Sequence, residues 1–396
     1  MALAEDPRSA LAFKEKGDLA LRGGDLAGAR MNFVEAVRLA PDRLDAWMGL
    51  AAAQRALGDL QAGLEATEGA LAVEPRCFPA LLLKGSLLEA LGHQRQAAVV
   101  YGIATKLAPS GAELSEPTRR ALAHATEVHR RHADELAARL LAAADLEGAE
   151  PGVAGRAAVF IDAAAGRRKV FNQEPVQFHY PGLPAIEFYD RAEFPWLADL
   201  EACTEAIREE VLAVWSDGSP DLEPYIDYPP SVPVDQWAEL NHSLRWSAFH
   251  LWREGQPVET ARSKCPHTFE TLKIIDQPRV AGRSPAAMFS ILRPRTRIPC
   301  HTGVSNTRLV LHLPLIVPEG CGFRVGGETR QWREGEAWVF DDTIDHEAWN
   351  DSDKPRAILI CDVWSPRLSA EERELIVTIT AAIDDFMGGP APDGGL

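Results

Sequence analysis

A repeat of 34 residues near the start of the chain restricts the fold more than any other feature. Pro41, Pro75 and Pro109 follow one another at steps of 34 residues. Four further rows of small or aromatic residues keep the same step: Gly17, Ala51 and Gly85; Ala29, Gly63 and Ala97; Phe33, Thr67 and Tyr101; Ala36, Ala70 and Ala104. A fixed period of this length predicts a stack of similar helical units.

The residues that keep the period suit paired helices. Small side chains in the first two rows let two helices approach closely, and each proline ends a second helix because proline cannot continue it. The segment 45–59, DAWMGLAAAQRALGD, has the Trp, Leu and Gly-Asp turn typical of tetratricopeptide repeats. We predict repeats over residues 10–43, 44–77 and 78–111, followed by a capping helix over 116–145. The alternative is an Ala-rich helical bundle with an accidental period. The four rows in register argue against it.

A second informative region, residues 290–364, has the pattern of an all-β domain. Short apolar runs at residues 287–292, 309–317, 337–340 and 357–363 are separated by Pro, Gly and Asp-Asp turn signals. Several short strands with turns between them predict a barrel or a double-sheet jelly roll.

Two histidines stand at the ends of these predicted strands. His301 lies just before one strand and His346 begins another, so both imidazoles can meet in the mouth of a barrel. Imidazole is a ligand for Fe, Zn, Cu and Ni alike. A common non-haem iron site adds a carboxylate two residues after the first histidine, yet that position is Gly303. From the residues alone, the ligand set is either incomplete or unusual.

Each of these residues also has an ordinary structural explanation. A lone histidine at a strand edge is more often a hydrogen-bonded structural residue than a metal ligand, Arg356 can be an exposed charge, and Ser290 a plain strand serine. The combination is more specific, because Arg356 follows His346 by ten positions and Ser290 precedes His301 by eleven. A guanidinium binds a carboxylate through two parallel hydrogen bonds, and a hydroxyl can complete the cradle. The set therefore predicts a pocket for a dicarboxylate cosubstrate.

Six phrases between residues 180 and 375 carry a family resemblance. They are YPGLPAIEFYD from Tyr180, CPHT from Cys265, HTGVSNTRLVLHLPL from His301, GCGFRV from Gly320, FDDTIDHEAWN from Phe340 and DVWSP from Asp362. With them the region resembles the aspartyl/asparaginyl β-hydroxylase family, which are Fe(II)- and 2-oxoglutarate-dependent oxygenases with a double-stranded β-helix core. The family uses two histidines and no carboxylate ligand, so the glycine at position 303 fits its pattern.

The resemblance implies a role for each matching residue. His301 and His346 fall on the iron ligands. Arg356 and Ser290 fall where the family holds the distal carboxylate of 2-oxoglutarate, and His312 falls on a histidine that lines the same pocket.

Other positions match less fully. Arg308 falls on a family arginine that faces either the cofactor or the substrate. The animal enzymes have a second arginine where Val310 stands, and a histidine where Ser365 stands. The change at Val310 leaves open how a second carboxylate is neutralised.

The resemblance also implies the chemistry. An iron held by two imidazoles and two 2-oxoglutarate oxygens keeps two of six positions for water and O2. Oxidative decarboxylation of 2-oxoglutarate gives succinate and CO2 and drives hydroxylation of an unactivated carbon. The family places that hydroxyl group on the β-carbon of an Asp or Asn residue in a polypeptide.

The overall prediction is a multidomain α + β chain. It has a tetratricopeptide-repeat helical domain over residues 8–146, a linker over 147–175, and a double-stranded β-helix oxygenase domain, jelly-roll and cupin-like, over 176–390. A length of 396 residues with 46% apolar content suffices for two cores. The linker is placed where Gly, Ala and the GRRK cluster at 166–169 interrupt the apolar periodicity.

Charge and composition restrict partners and location. A net charge of −17 disfavours nucleic acid and anionic lipid as partners. The start MALAEDPRSA lacks a secretory signal, and the longest apolar run, 309–317, is too short to span a bilayer. The six cysteines show no close paired spacing, which fits reduced thiols. We therefore predict a cytoplasmic protein without a membrane or nucleic-acid partner.

Several further residues could be taken for parts of the site around His301 and His346. Asp341, Asp342 and Asp345 precede His346 and are interpreted as a turn that uses Asp for its own backbone hydrogen bonds. Cys300 should point away from the site, since adjacent strand residues face opposite sides. Three tryptophans are expected near the site: Trp246, Trp252 and Trp349.

Three hypotheses for the function remain open. The first is a peptide or protein β-hydroxylase, with the repeats presenting the polypeptide; the repeats can equally be a spacer or a dimerisation element. The second is a hydroxylase of a free or carrier-bound amino acid in a biosynthetic pathway. The third is a repeat scaffold whose barrel has lost catalysis, against which the joint presence of Ser290, His301, His346 and Arg356 argues.

Overall fold

The chain forms two compact units, Met1–Arg168 and Lys169–Leu396, in a computed structural model that describes residues 7–109, 114–216 and 221–389. The boundary between the units falls inside the predicted linker, 147–175. Residues 1–6, which carry part of the signal-peptide prediction, and residue 390, the predicted end of the oxygenase domain, lie outside the described residues.

The N-terminal unit is built from consecutive helix pairs. Each helix packs against the next one along the chain, within and between pairs. The helices are α1 (Pro7–Arg22), α2 (Leu26–Leu39), α3 (Leu44–Leu57), α4 (Leu60–Val73), α5 (Phe78–Ala90), α6 (Gln94–Lys106), α7 (Glu116–Ala144) and α8 (Pro151–Ala164).

The small and aromatic rows of the sequence meet inside the first and third pairs. A Cβ placed on Gly17 would lie 2.9 Å from the ring of Phe33, and one on Gly85 would lie 2.3 Å from the ring of Tyr101. The glycines therefore make room for the aromatic side chains of the second helix. Helix pairs that recur every 34 residues confirm the predicted tetratricopeptide-repeat fold of this unit.

The turn between the two helices of each pair contains a glycine that also recurs every 34 residues. Gly24, Gly58 and Gly92 follow the first helix of each pair, and all three have φ near +80°, at 80°, 82° and 83°. This left-handed conformation favours glycine, which has no Cβ. Asp25 and Asp59 come next and cap the second helix, because each carboxylate accepts a hydrogen bond from a backbone N–H three residues on.

Helix α7 agrees with the predicted capping helix over 116–145. Beyond it, α8 occupies part of the segment that was predicted as a linker. Ile161 and Ala165 pack against Ala137 of α7. The Ala-rich composition that suggested a linker instead supplies a small apolar face for helix packing.

The C-terminal unit carries eleven strands, five α-helices and two short 3-10 helices among its described residues. The strands are β1 (Glu223–Pro224), β2 (Trp246–Arg253), β3 (Gln256–Pro257), β4 (Ala287–Leu292), β5 (Thr296–His301), β6 (Arg308–Ile316), β7 (Cys321–Val325), β8 (Glu328–Arg330), β9 (Trp338–Phe340), β10 (His346–Asn350) and β11 (Arg356–Trp364). The helices are α9 (Leu197–Ala202), α10 (Thr204–Ser216), α11 (Glu259–Lys264), α12 (Pro266–Leu272) and α13 (Ala370–Met387).

From β4 onward the strands alternate between two antiparallel sheets, except that β7 and β8 form a hairpin within one of them. One sheet contains β4, β11, β6 and β9 in that order and is extended beyond β4 by the short strands β1 to β3, while the other contains β5, β10, β7 and β8. Side chains from both sheets meet in one core, for example Met288 and Ile358 with Ile298 and Phe323. Eight strands wound in this order form the predicted double-stranded β-helix, or jelly roll.

The larger sheet is buried on both faces. Its outer face packs against helices through Leu197, Ile207 and Phe269, which join Phe289 and Leu359 in a second core. This explains why the sequences of β4 and β11 are nearly continuous apolar runs, interrupted by Ser290 and Asp362, instead of an alternating pattern. In the described part of the chain, none of the helices has both the length and the apolar character needed to cross a membrane.

Candidate active site

His301 and His346 lie side by side across two hydrogen-bonded strands. His301 ends β5, His346 begins β10, and the two residues are paired in the register of the sheet. Their ring centroids are 4.0 Å apart. Each Nδ1 is within hydrogen-bond distance of a backbone carbonyl, 2.8 Å from Pro299 O for His301 and 3.0 Å from Ile344 O for His346. An Nδ1–H that donates to a carbonyl fixes the ring and leaves Nε2 with its lone pair, which is the state that a metal ligand needs.

Burial keeps both imidazoles neutral. It lowers the pKa of His301 and holds the pKa of His346 well below its usual range, where the neighbouring His301 adds to the effect. A neutral imidazole can bind a metal without first losing a proton. Among the described residues, no group of three or more His, Cys, Asp or Glu side chains could hold a metal ion.

A cavity with about 480 Å³ of empty space, part of it open to solvent, lies between the two sheets at this histidine pair. Five of the six predicted site residues line it: Ser290, His301, His312, His346 and Arg356. The rest of the lining is mainly aromatic and aliphatic: Tyr225, Trp246, Ile298, Val310, Phe323, Trp332, Phe340, Asp342, Ala348, Ile358 and Ile360. The fold thus brings together residues that are up to 66 positions apart in the sequence.

Arg356 is a buried cation with unused hydrogen-bond donors. Its side chain is only 1% exposed, and its Nε and Nη1 have no hydrogen-bond partner. Nε1 of Trp332 and Nδ1 of His312 also lack a partner, and the guanidinium lies 4.9 Å from the Trp332 ring centroid. Burial lowers the pKa of Arg356 to about 10. Because burial of an unpaired cation is energetically unfavourable, an anion bound at this end of the cavity would be stabilised.

Ser290 contributes a hydroxyl group to the same cavity. Its Oγ accepts a hydrogen bond from Nε1 of Trp246 at 3.1 Å, so the hydroxyl hydrogen is left for another acceptor. Trp246 is stacked on Tyr225 at 3.7 Å between ring centroids, and Trp237 packs edge-on against His301 at 5.0 Å. These aromatic rings form a rigid wall beside the histidine pair.

The turn before His346 supplies a buried carboxylate next to Gly303. Asp342 is 2% exposed, its Oδ1 has no partner, and its Oδ2 is 3.3 Å from Nη1 of Arg308. Burial raises the pKa of Asp342 to about 7 despite this arginine. The interpretation as a structural turn suits Asp341, which accepts hydrogen bonds from Thr343. It does not describe Asp342, whose carboxylate lines the cavity.

Asp342 also explains why position 303 is glycine. A Cβ at Gly303 would lie 1.9 Å from Oδ2 of Asp342. We expect Gly303→Ala to lower the free energy of unfolding by about 1–3 kcal/mol, as for an overpacked core. The double variant Gly303→Ala/Asp342→Ala should recover part of this loss, because the clash is removed. Chemical denaturation of the four proteins measures the coupling, and strictly additive losses would contradict it. Gly155→Ala, with no atom within 4 Å, is the control.

Arg308, the sixth predicted site residue, does not line this cavity. It begins β6, pairs with Asp342 and lines a second, adjoining cavity. Val310, two residues further along the strand, lines the first cavity and is 3% exposed. The position where the animal enzymes have a second arginine therefore presents an apolar surface to the cavity.

The three tryptophans expected near the site separate in the structure. Trp246 lines the cavity, whereas Trp252 packs towards Phe269 on the helical side, and Trp349 lies beneath Arg297. Trp332 was not anticipated, because it stands in the loop between β8 and β9, outside any periodic pattern. Its neighbour in the sequence, Arg333, is exposed, so no local signal distinguished it.

Comparison with known proteins identifies the unit that holds this cavity. Residues 201–366 match the family model described as aspartyl/asparaginyl β-hydroxylase. Over these residues the C-terminal unit is similar to the aspartyl/asparaginyl β-hydroxylase family. The match runs from α9 to the end of β11 and so includes every residue of the histidine pair and the Arg356 pocket.

Individual proteins similar to this unit come from animals and from a bacterium. The mouse aspartyl/asparaginyl β-hydroxylase is 39% identical over 149 residues, which are 37% of this chain and 20% of the mouse protein. The human enzyme is 37% identical over 182 residues, 46% of this chain and 22% of its own length. The ornithine lipid ester-linked acyl 2-hydroxylase of Rhizobium tropici is 35% identical over 196 residues, 49% of this chain and 66% of its own length. The chain thus spans about a fifth of the mammalian relatives and about two thirds of the bacterial one.

The repeat unit has distant likenesses among solved structures. The tetratricopeptide-repeat domain of Arabidopsis OM64 is 24% identical and covers 32% of this chain and 98% of its own, with a TM-score of 0.28. At this distance the assignment of the repeats rests on the helix pairs themselves.

Proposed function

We propose that the C-terminal unit is an Fe(II)- and 2-oxoglutarate-dependent hydroxylase. One observation carries the proposal: Arg356, a buried cation with two unpartnered nitrogens, lies in the same cavity as a pair of neutral, oriented histidines. A dicarboxylate would satisfy the arginine at one end and reach the metal at the other. The donor set present in the cavity therefore fits both the metal and the cosubstrate.

Two groups of residues would bind the metal and the cosubstrate. His301 and His346 would hold Fe(II) through Nε2. Arg356 would bind the distal carboxylate of 2-oxoglutarate, with the Ser290 hydroxyl as a further donor. The indole N–H of Trp332 is the additional donor that the structure supports, because it is buried beside the guanidinium without a partner.

Bound iron and 2-oxoglutarate would supply the oxidation that turns a C–H bond into C–OH. In such a reaction, one atom of O2 would enter the product and the other would enter succinate, with loss of CO2. The chain contributes orientation and a cavity walled by apolar residues such as Phe340, Ile358 and Ile360, which limits water near the reaction. Asp342, with its pKa raised to about 7, can hold or release a proton at neutral pH.

The names of the relatives suggest which carbon reacts. The β-carbon of Asp or Asn and carbon 2 of an ester-linked acyl chain are both adjacent to a carboxyl-derived carbonyl. We take hydroxylation of such a carbon as the reaction, with an Asp or Asn residue in a polypeptide as the first candidate and the repeat unit as its docking element. A free or carrier-bound amino acid is an alternative substrate. An acyl chain is a further candidate, which a second cavity of this unit favours.

Anaerobic titration of Fe(II) with and without 2-oxoglutarate tests the proposed function. We expect a weak visible charge-transfer band that requires both, because the 2-oxo acid chelates iron through its keto and carboxylate oxygens. Succinate is the matched control, since it has the two carboxylates but lacks the keto group. Absence of the band, together with no binding of iron or 2-oxoglutarate by calorimetry, would overturn the proposal in favour of a scaffold.

A further inference from the structure

A second cavity, with about 1100 Å³ of empty space that includes open solvent, adjoins the first one within the C-terminal unit. Arg308 lines it, while Asp342, its ion-pair partner, lines the first cavity. The Arg308–Asp342 pair is thus a wall common to both cavities. Trp364, which pairs with Arg308 in the register of β6 and β11, forms the adjacent surface. The second cavity therefore begins where the strands that carry the active site end.

One side of this cavity is an apolar stripe on α13. Ile376, Ile379 and Ile383 face it at the spacing of successive helical turns, a span of about 10 Å. Ile376 is buried, but Ile379 is 54% exposed and Ile383 is 37% exposed. Val280 and Val304 stand among the other apolar residues of the lining. No described part of the chain fills the space that these side chains border, so it is available to a ligand with apolar surface.

The charges around the cavity are already compensated by the chain. Arg283 donates to Asp384 at 2.6 Å and to Gln177 at 3.1 Å. Arg308 is paired with Asp342, and the nearby carboxylate of Asp362 also acts on it. In the first cavity, Val310 presents an apolar side chain. An acidic substrate would find these cations occupied and carboxylates close by, whereas an uncharged chain would meet no such penalty.

We propose that the second cavity binds the aliphatic chain of an acyl substrate, with the carbonyl end of that chain at the Arg308–Asp342 wall. The apolar stripe would contact the methylene groups, and the carbonyl end would lie beside the ion pair that separates this cavity from the histidine pair. The bacterial relative named as an acyl 2-hydroxylase agrees in the chemistry of its substrate. Binding of the chain stands on the cavity alone, and hydroxylation of the chain rests on the proposed function.

Calorimetry on the full chain without iron tests the binding, with monoacylglycerols from hexanoyl to dodecanoyl as probes at concentrations below micelle formation. We expect the affinity to rise about three- to fourfold for each added methylene until the stripe is covered. Ile379→Glu should lower the affinity for the longer probes at least tenfold, because it places a charge on the apolar surface. Leu375→Glu is the matched control, since Leu375 is on the same helix and 50% exposed but does not line the cavity.

Equal affinities along the series, or equal effects of Ile379→Glu and Leu375→Glu, would overturn the acyl assignment. So would tight binding of an Asp-containing peptide without binding of any monoacylglycerol, which would identify a polypeptide as the occupant. Ile383→Glu repeats the test one turn further along the stripe. Addition of Fe(II), 2-oxoglutarate and O2 then separates the two proposals: a bound chain that gains no oxygen atom by mass spectrometry would contradict the hydroxylase and leave the binding assignment intact.

Discussion

Replacement of Arg356 by Met is expected to weaken 2-oxoglutarate binding by a factor on the order of 100 or more, because it removes a buried, bidentate partner of a carboxylate. The same change should leave the C-terminal unit as stable or more stable, by up to about 4 kcal/mol, since a buried charge without a counter-ion is replaced by an apolar side chain of similar length. The lowered pKa of Arg356, caused by burial, already shows that its charged form is disfavoured. Affinity and stability should therefore change in opposite directions.

Calorimetry with 2-oxoglutarate and urea denaturation of the same protein samples measure both effects. Arg330→Met is the matched control, because Arg330 also lies over an aromatic ring, 3.8 Å from the centroid of Phe188, but is ion-paired with Glu328 and does not line the cavity. It should not change the affinity for 2-oxoglutarate. An Arg356→Met protein that binds 2-oxoglutarate as tightly as the unaltered chain would remove the main support for the proposed cosubstrate.

Replacement of His346 by Ala is expected to reduce Fe(II) affinity at least about 100-fold and to abolish iron-dependent turnover, since loss of a direct ligand should exceed the loss seen when only its orienting partner is removed. A single imidazole, His301, would remain. The fold should persist, because the strands around His346 are held by main-chain hydrogen bonds to β5 and β7.

Metal content after anaerobic loading, together with circular dichroism, separates loss of the metal from loss of the fold. His242→Ala is the control, since His242 is an exposed histidine of the same unit that pairs with Asp227. Retention of stoichiometric iron in the His346→Ala protein would show that the metal is held elsewhere.

The features that the sequence predicts best are those that repeat or that form continuous apolar runs. The 34-residue step placed all three helix pairs, because the same packing contact recurs in each unit. The run at 287–292 coincides with β4, and the runs at 309–317 and 357–363 overlap β6 and β11, because both faces of these strands are buried. A strand that is buried on both faces therefore appears in the sequence as a nearly continuous run of apolar residues.

The features that could not be predicted from the sequence depend on contacts between distant segments of the chain. Trp332 acquires its place beside Arg356 only when the loop after β8 folds over the cavity, and nothing within the loop encodes that contact. Asp342 looks like its neighbour Asp341 in an Asp-Asp turn, yet only the packing of the turn against Gly303 separates their environments. Helix α8 was missed because an Ala- and Gly-rich segment has a weak helical period until α7 offers a surface for it.

The pairing of His301 with His346 across β5 and β10 has a consequence for metal exchange. Where ligands come from loops, binding of a metal must first order the chain, and part of the binding energy is spent on that ordering. Here both imidazoles are already fixed by the sheet and by their carbonyl acceptors, so the conformational entropy lost on metal uptake is small. The unit should consequently stay folded when the proposed iron site is empty, and should take up the metal again without refolding.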